Sequence, residues 1–502
     1  MTDPTTAAPR WRRRAKQLVA AALVPAMLAG CAKSPATGER IFTGGFTKAQ
    51  GREVGAEQHP KLVKEFGGAF DEPKITGYVS ELGNRLARRS EMPGLDWSFT
   101  VIDSPIVNAF ALPGGYIHVT RGLVSLAENE AELAGVLGHE IGHVTARHTA
   151  ERYGGSVLAN VAGLAGAIFL GRQAAQAINT LSAVALQSYS RSQEFEADTL
   201  GVRYLRRTGY DARAMATFLD KLRADSKLQA AIRGLPEESV DQFNIMQTHP
   251  RTADRVEKAI REARDGAVDG ELGRDRFLQK LDGMRVGSSR EQGFVRGQTF
   301  LHPELRIAFE VPERFRLINR PDQVAALGPD GAQIAFTMAR PDRPVTPYTY
   351  LTREWAKDAR LSGLERLEVN GRPAATATTR VRTNRGARDL RLVAVGWDER
   401  RIYRFMFITP PGQTARFRTD FRRTTHSLRR LPEAEADALQ PLRLTIHTVQ
   451  PGETVAELAA RMPYSEFKER RFRVLNGLDG GTGVTPGQKV KLVVAGDGDA
   501  SG

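Results

Sequence analysis

The sequence predicts a multidomain fold: a mainly α domain with a small β-sheet, then an α+β domain, then a small α/β module. A length of 502 residues is enough for three or four domains. Apolar residues follow helical three-and-four spacing in much of the first half, whereas alternating strand patterns begin near residue 300. The apolar fraction of 41% and the charged fraction of 26% are those of an ordinary globular protein.

The N-terminus predicts an export signal. Residues 10–16 are strongly basic, and the apolar run over 18–29 is too short to span a bilayer comfortably. The only cysteine, Cys31, follows a stretch of small residues. This arrangement resembles the bacterial lipobox, which implies a signal peptide over 1–30 and a lipid anchor at Cys31. Ala32 then implies the outer membrane of a bacterial envelope, facing the periplasm. The alternative is an ordinary signal with an incidental cysteine.

The charge favours anionic partners. The formal net charge is +14, and about +10 remains when residues 1–30 are left out. Phospholipid, lipopolysaccharide and cell-wall polymer are such partners, unless the charge is spread over the surface and solvated. No basic motif interleaved with aromatic residues indicates nucleic acid, so we expect no such partner. A single cysteine excludes an intrachain disulfide and a cysteine-based zinc site.

A strand-turn-strand unit is predicted before the central helix. A helical pattern over 48–89, broken near Gly67, is followed by a strand over 97–103. The turn Pro113-Gly114-Gly115 then joins strands over 108–112 and 116–120. One interpretation is an edge strand for a substrate backbone, formed by Asn108, Ala109 and Phe110. The alternative is a plain hairpin in the core.

The clearest chemistry lies in His139-Glu140-Ile141-Gly142-His143, within a run that is typical of a helix. Two histidines four apart on a helix are about 40° apart around the axis and about 6 Å apart along it. Their imidazoles can converge on one metal ion, and Zn²⁺ accepts neutral imidazole nitrogen readily. Glu140 is then placed to take a proton from a water at the metal. We therefore expect one zinc ion per chain.

A third ligand is predicted in the segment 190–198. Glu194 and Asp198 are four apart and share one helical face. Glu194 can be the third metal ligand. Asp198 can accept a hydrogen bond from a ligand histidine, through the ring nitrogen that does not bind the metal. Glu196 lies on another face and is predicted to be solvated.

The spacing of the other histidines argues against two alternative sets of metal ligands. His148 is five residues beyond His143, which predicts a position off the metal-facing side. The class with three histidine ligands is excluded by spacing, because Thr149 and Ala146 stand where it needs histidine and glycine. His118, His302, His426 and His447 are predicted to be structural or on the surface.

These motifs together resemble the HtpX/BepA-like zinc metallopeptidases, kin to the CAAX prenyl protease, which pair an HExxH helix with a later ExxAD helix. The likeness covers about residues 47–265 and includes the stretch 108–115, Arg147-His148, and Thr248-His249-Pro250 with Arg255. It implies a zincin-type metallopeptidase domain over 31–265.

The resemblance also implies residue roles. Zinc would be bound by His139, His143 and Glu194, with Glu140 as the general base. His249 would occupy the coordination position of the water and inhibit the enzyme; the alternative is a capped helix start at Thr248-His249-Pro250. The apolar run over 156–170 is predicted to be a buried helix or a flap near the site.

The second half of the chain has no chemical motif before its last module. Residues 266–299 are predicted to be a linker, and residues 300–435 an α+β domain of unknown role. Its predicted strands cover 305–311, 333–336, 390–395 and 402–407, and its predicted helices cover 353–361 and 414–428.

The C-terminal module over 440–494 resembles LysM modules. The matching stretches are 448–455, Leu475-Asn476-Gly477-Leu478 and 486–491. The resemblance implies binding of glycans that contain N-acetylglucosamine, such as peptidoglycan; the alternative is a small packing module. Residues 495–502 are predicted to be disordered.

The sequence thus predicts a zinc-dependent metalloendopeptidase of the bacterial cell envelope. By family resemblance, its substrates would be unfolded or misassembled envelope proteins. One alternative is an envelope chaperone or a peptidoglycan-tethered scaffold with a self-inhibited zinc site. A peptidoglycan hydrolase is a third possibility, against which the ExxAD pattern speaks.

Overall fold

The computed structural model describes residues 31–43, 45–154, 188–237, 249, 255, 261, 270–320, 323–383 and 386–496. The chain forms two compact units. The first unit combines Met1–Met284 with Thr445–Leu492, and the second combines Arg285–Leu444 with Val493–Gly502. The flap or buried helix predicted over 156–170 lies outside the described residues.

The first unit begins with a short hairpin and is then mainly helical up to residue 281. The hairpin pairs β1 (Cys31–Lys33) with β2 (Arg40–Phe42). The helices are α1 (Lys48–Glu65), α2 (Pro73–Ala87), α3 (Arg121–Leu126), α4 (Glu130–Thr145), α5 (Arg191–Arg207), α6 (Ala214–Ile232) and α7 (Arg274–Leu281). α4 is buried along its whole length, so it is the centre of this unit.

A three-stranded sheet lies next to α4. Its strands are β3 (Ser98–Ile102), β4 (Ala109–Leu112) and β5 (Tyr116–Thr120), in the order β3-β5-β4. β3 is parallel to β5, and β4 is antiparallel to it. Positive φ angles at Gly114 (88°) and Gly115 (92°) form the turn between β4 and β5, where side chains other than glycine would be strained. The predicted strand-turn-strand unit is confirmed.

Two glycines let α4 and α5 pack closely. A Cβ atom on Gly142 would lie 3.2 Å from the carbonyl oxygen of Ala197, and one on Gly201 would lie 3.2 Å from the backbone nitrogen of His139. Since such distances are tighter than ordinary contacts, larger residues would push the helices apart. The close packing brings the first turn of α5 next to the histidines of α4.

The second unit consists mainly of antiparallel sheet. Its seven-stranded sheet has the order β10-β11-β12-β16-β15-β14-β13, and a four-stranded sheet has the order β17-β9-β8-β7. The strands are β6 (Arg285–Val286), β7 (Phe294–Arg296), β8 (Thr299–His302), β9 (Ile307–Glu310), β10 (Arg316–Asn319), β11 (Val324–Leu327), β12 (Gln333–Ala339), β13 (Ser362–Val369), β14 (Arg372–Thr383), β15 (Gly386–Asp398), β16 (Arg401–Thr409) and β17 (Arg429–Arg430).

Short helices cover both faces of the seven-stranded sheet. They are α8 (Pro347–Tyr350), which continues as a π-turn over Leu351–Trp355, and α9 (Arg418–Ser427). A further helix, α10 (Glu433–Asp437), packs beside the four-stranded sheet, where Ala436 joins Leu301 and Ala308. α8 packs on one face, against a cluster that includes Ala375 and Leu392. α9 packs on the opposite face, where Phe421 joins Phe405 and Phe407 in the larger core cluster.

Most predicted elements of this unit are confirmed, with one correction. β12, β15 and β16 contain three of the predicted strands, and β9 is shorter than the fourth, predicted over 305–311. A 3₁₀ turn over Thr414–Phe417 followed by α9 forms the predicted helix. The helix predicted over 353–361 is wrong, because helical geometry ends at Trp355 and Ala356 has φ −122° and ψ 33°. The apolar residues after it pack on the sheet instead of continuing a helical face.

The predicted linker contains regular structure. Residues Phe277, Leu278 and Leu281 of α7 are fully buried, and β6 and β7 follow. The last segment has the order β18 (Leu442–Thr448), α11 (Val455–Ala460), α12 (Lys468–Leu475) and β19 (Lys489–Val494). Among the described residues, we find no helix with the length and apolar composition needed to cross a membrane.

Candidate metal centre

Four side chains from three parts of the chain meet inside the first unit. His139 and His143 project from α4, Glu194 from the first turn of α5, and His249 from a later segment. One nitrogen or oxygen atom of each lies within 4.8 Å of the others, and all four residues are buried. The structure thus brings together the three predicted metal ligands and the predicted fourth one.

The distances between the donor atoms suit one metal ion. Nε2 of His139 lies 3.0 Å from Nε2 of His143 and 3.6 Å from Oε2 of Glu194. Nδ1 of His249 lies 2.9 Å from Oε1 of Glu194 and 3.2 Å from Nε2 of His139. Donor atoms about 2.0–2.1 Å from a tetrahedral zinc ion are roughly 3.4 Å apart, and imidazole and carboxylate are zinc ligands. Both the spacing and the chemistry of this donor set therefore fit zinc.

His139 is oriented by a buried ion pair behind it. Its Nδ1 lies 2.9 Å from Oδ1 of Asp198, which leaves Nε2 for the metal side. The guanidinium of Arg255 binds the same carboxylate through Nε at 2.7 Å and Nη2 at 2.8 Å. Asp198 therefore lies where the sequence predicts it, and Arg255 holds it in place.

Arg255 also reaches the acidic ligand. Its Nη1 lies 2.6 Å from Oε2 of Glu194. Burial alone would raise the pKa of Glu194, but the interactions with His249 and Arg255 outweigh burial and hold that pKa well below its usual value. Glu194 is therefore ionised, as a metal ligand must be.

His143 is oriented by a second chain of contacts that the sequence did not predict. Its Nδ1 lies 3.0 Å from Nδ1 of His148, and Nε2 of His148 lies 3.2 Å from Oε2 of Glu196. His148 therefore lies off the metal-facing side, as predicted, and Glu196 is partly exposed, but the contacts that link them to His143 were not predicted. α4 ends at Thr145 and Arg147 has a left-handed φ of 64°, so the chain turns His148 back towards His143.

Glu140 is a buried acid that accepts no hydrogen bond within the described part of the chain. The residue is 0% exposed. Nε2 of His249 lies 3.5 Å from its Oε1. Burial raises the pKa of Glu140 to about 7; the charge of His139 opposes this rise and that of Glu194 adds to it. A carboxyl group with a pKa near neutrality can accept and return a proton.

Two further residues at the site, Tyr189 and Arg152, were not predicted from the sequence. The ring of Tyr189 stacks on His143 with a centroid distance of 3.7 Å, and the guanidinium of Arg152 lies 3.5 Å from the centroid of Tyr189. The hydroxyl of Tyr189 is buried and has no hydrogen-bond partner within the described ranges. Its position directly before Ser190, the N-cap of α5, is the signal that could have indicated it.

The remaining predicted site residues are not among the four donor groups. Asn108, Ala109 and Phe110 belong to or adjoin β4, which is the last strand in the order β3-β5-β4, and all three are buried. A substrate role for this edge stays a prediction. Cys31 begins β1, and its lipidation also stays a prediction.

A histidine and glutamate donor set beside a buried carboxyl group is the arrangement of a metallopeptidase-type site, and the comparison with protein families agrees. Residues 73–263, which include α4 and α5, match Peptidase family M48. This match covers less than half of the chain, so the likeness concerns this segment and not the second unit.

Related proteins support a protease. A putative beta-barrel assembly-enhancing protease of Vibrio cholerae is 31% identical over 245 residues, which is 45% of this chain and 49% of that protein. The beta-barrel assembly-enhancing protease of Escherichia coli is 31% identical over 267 residues, covering 49% of this chain and 52% of that protein. The mitochondrial metalloendopeptidase OMA1 of Arabidopsis thaliana is 39% identical over 137 residues, covering 27% and 28%. The chain spans about half the length of the assembly-enhancing proteases it matches.

Among solved structures, LpqN of Mycobacterium tuberculosis, described as involved in cell envelope biogenesis, is similar at 15% identity with a TM-score of 0.22. The match covers 25% of this chain and 83% of LpqN. A TM-score this low supports no conclusion about function.

Proposed function

We propose that this protein is a zinc-dependent metalloendopeptidase of the bacterial cell envelope. The observation that supports this most is the meeting of His139, His143 and Glu194 within 4.8 Å, beside the buried carboxylate of Glu140. Zinc bound by these residues would supply a Lewis acid that polarises the scissile carbonyl and makes water more acidic.

The residues of the chain do the remaining chemistry. Glu140 takes a proton from the attacking water and returns it to the leaving amine, for which a pKa near neutrality is suited. Asp198 and His148 hold the two ligand imidazoles in orientations that leave Nε2 of each free. Arg255 keeps Asp198 and Glu194 in place.

The proposal includes inhibition by His249. Its Nδ1 lies within hydrogen-bonding distance of both Glu194 and His139, so it takes the fourth position of the donor set. Catalytic zinc sites keep one position open for water or substrate, whereas structural sites are closed by four protein ligands. Withdrawal of His249 would therefore convert a closed site into a catalytic one.

The closed site also favours a second candidate function. An envelope chaperone or a peptidoglycan-tethered scaffold would use the zinc site for structure alone, and the four buried donor groups suit that role. The two candidates differ in one respect, because only the protease needs Glu140 for activity.

The wider biology is also part of the proposal. The lipid anchor at Cys31 would place the protein on the outer membrane facing the periplasm, where unfolded or misassembled envelope proteins would be its substrates. Residues 440–494 would bind peptidoglycan. If N-acetylglucosamine oligomers fail to displace the full chain from purified cell wall, the glycan role is wrong.

The decisive experiment combines metal analysis with cleavage of an unfolded envelope protein. We expect about one zinc per wild-type chain and loss of zinc in His139→Ala. Glu140→Gln should keep zinc and lose at least about a hundredfold in kcat. Glu81→Gln, an exposed acid on α2, is the matched control and should behave as wild type. Undiminished cleavage by Glu140→Gln would exclude the protease mechanism.

A further inference from the structure

The positive charge of the protein is concentrated in residues 285–444, here called the basic domain. This range has 29 Lys and Arg residues against 18 Asp and Glu residues, a net charge of +11. The whole chain has +14, and residues 1–30 account for +4 of it. The rest of the chain is therefore close to neutral, and the charge is not spread evenly as one interpretation of the sequence proposed.

Within the basic domain, the segment 416–430 is the richest in arginine. It has six arginines and one acidic residue, Asp420, over fifteen positions. α9 begins at the second of these arginines. Phe421 of α9 is buried against Phe407 of β16, with a ring centroid distance of 4.5 Å. The helix is therefore fixed to the sheet by its apolar side.

Arg418, Arg422 and Arg423 lie on the solvent-exposed part of α9, and all three are exposed. None of the three makes an ion pair, a hydrogen bond or a ring contact with a residue in the described part of the chain. Neighbouring arginines behave differently, because Arg416 pairs with Asp330 at 2.7 Å and Arg429 with Glu435 at 2.7 Å. Three guanidinium groups are thus left without an anionic partner on one face.

A fourth arginine extends this face along the sheet. Val393 and Val395 of β15 belong to the same core cluster as Phe407 and Phe421. Since side chains alternate along a strand, Arg391 points to the same side of the sheet, beside its cross-strand partner Phe407. We call Arg391, Arg418, Arg422 and Arg423 the arginine face.

We propose that the arginine face docks on the phosphate-bearing headgroups of an anionic lipid bilayer. Guanidinium groups bind phosphate oxygens with paired hydrogen bonds, and cations near an anionic leaflet each add to binding. No internal ion pair has to be broken for this contact. The predicted lipid anchor at Cys31 would hold the chain beside such a surface, which favours lipid over nucleic acid as the partner. This inference is independent of the proposed protease activity.

The chain offers a matched control on the other face of the same sheet. Arg353, Lys357 and Arg360 are also exposed and without a described ion pair, but Glu354 and Asp358 alternate with them. They follow α8, which packs against the cluster on the opposite side of the seven-stranded sheet. Replacing either set of three cations by glutamate changes the net charge by the same amount. A difference in vesicle binding between the two variants therefore depends on where the cations lie and not on the total charge.

The test is co-sedimentation of residues 31–502, with Cys31→Ser to exclude a lipid tether, with vesicles. One set contains phosphatidylglycerol and phosphatidylethanolamine, and the other contains phosphatidylcholine alone. We expect binding to the anionic set only. Arg418→Glu, Arg422→Glu and Arg423→Glu together should weaken it by at least about tenfold, whereas the triple reversal at Arg353, Lys357 and Arg360 should change it by less than about threefold. Thermal unfolding should confirm that both variants remain folded.

Three outcomes would overturn the proposal. Equal loss in the two triple variants would mean that binding follows net charge and not this face. Equal binding to phosphatidylcholine, whose phosphate charge is balanced by the choline cation, would exclude a preference for an anionic surface. Binding to double-stranded DNA without binding to anionic vesicles would make nucleic acid the partner.

Discussion

At the scale of single residues, Arg255 connects Asp198 and Glu194 of α5 to His249. It binds Asp198 with two nitrogens and Glu194 with a third, and its Nη1 lies 3.4 Å from the backbone oxygen of His249. Because the guanidinium is rigid and planar, these contacts fix the acids and the segment of His249 relative to each other. The closed state of the site is therefore built from few side chains.

The role of His249 can be tested by removing its imidazole. We expect His249→Ala to raise the cleavage rate of an unfolded envelope protein by at least about tenfold, since it opens the fourth position of the donor set. His426→Ala, an exposed histidine on α9, is the control and should leave the rate unchanged. A rate below that of wild type would assign His249 to catalysis and not to inhibition.

The residues that could be predicted are those whose relation is local to one helix. His139, Glu140 and His143 follow from helical spacing, and Glu194 and Asp198 share a face for the same reason. The contact of His148 with His143 could not be predicted because it depends on the residue at which α4 ends and on the left-handed turn at Arg147. Spacing along an ideal helix gives no information beyond the end of that helix.

At the scale of elements, the N-terminus of α4 is fixed by a buried charge network. Asn129 caps the helix, and the first residue, Glu130, is 0% exposed. Its carboxylate accepts hydrogen bonds from Arg85 and Arg276 at 2.7 Å and from Tyr78 and Tyr210. Burial would raise the pKa of Glu130, but these hydrogen bonds outweigh it and lower the pKa to about 2.

This network predicts a dependence of stability on pH. Since the folded pKa is about 2 and the ordinary value is 4.5, Glu130 stabilises the fold above pH 4.5, and that contribution is lost as the pH falls towards 2. Glu130→Gln should therefore lower the free energy of unfolding by about 3 kcal/mol at pH 7, with the difference shrinking below pH 4.5.

Urea unfolding of wild type and Glu130→Gln at several pH values measures this difference. The control is Glu57→Gln, because Glu57 pairs with Lys61 on the surface of α1 and should contribute less than about 1 kcal/mol. A difference that stays constant from pH 7 to pH 3 would show that Glu130 is not held ionised as described.

At the scale of the whole molecule, most of the C-terminal module, Thr445–Leu492, is part of the first unit. Lys491 of β19 is fully buried, and its Nζ donates to the backbone oxygens of Ser125, Leu126 and Ala127 at 3.0, 3.2 and 2.7 Å. It also lies 3.4 Å from Oε2 of Glu128. The end of the chain therefore contacts the residues that lead into α4.

Removing this ammonium should destabilise the first unit. In Lys491→Met three carbonyl oxygens and Glu128 lose a buried cation, so we expect a loss of about 3 kcal/mol in urea unfolding. Lys489→Met removes a partly exposed pair with Asp275 and should cost about 0.5 kcal/mol. Equal effects of the two substitutions would mean that the contact of Lys491 does not stabilise the unit.

The sheet order and the surface charge distribution could not be predicted from the sequence, because both depend on contacts between residues far apart in the chain. The strands of the second unit could be recognised from alternation, but the position of β16 between β12 and β15 depends on pairing across many residues. Similarly, composition alone showed a net positive charge but not the clustering of Arg418, Arg422 and Arg423 on one side of a helix, which depends on how Phe421 is buried.

The position of Arg255 six residues after His249 sets a limit on how the site can open. While Arg255 stays bound to Asp198, His249 can move no further than an extended chain of six residues allows, about 20 Å. A transition within that radius leaves the support of the metal ligands intact. A larger displacement of His249 must first separate the guanidinium of Arg255 from the carboxylates of Asp198 and Glu194. Under the proposed function, full withdrawal of His249 would then be coupled to loss of the metal.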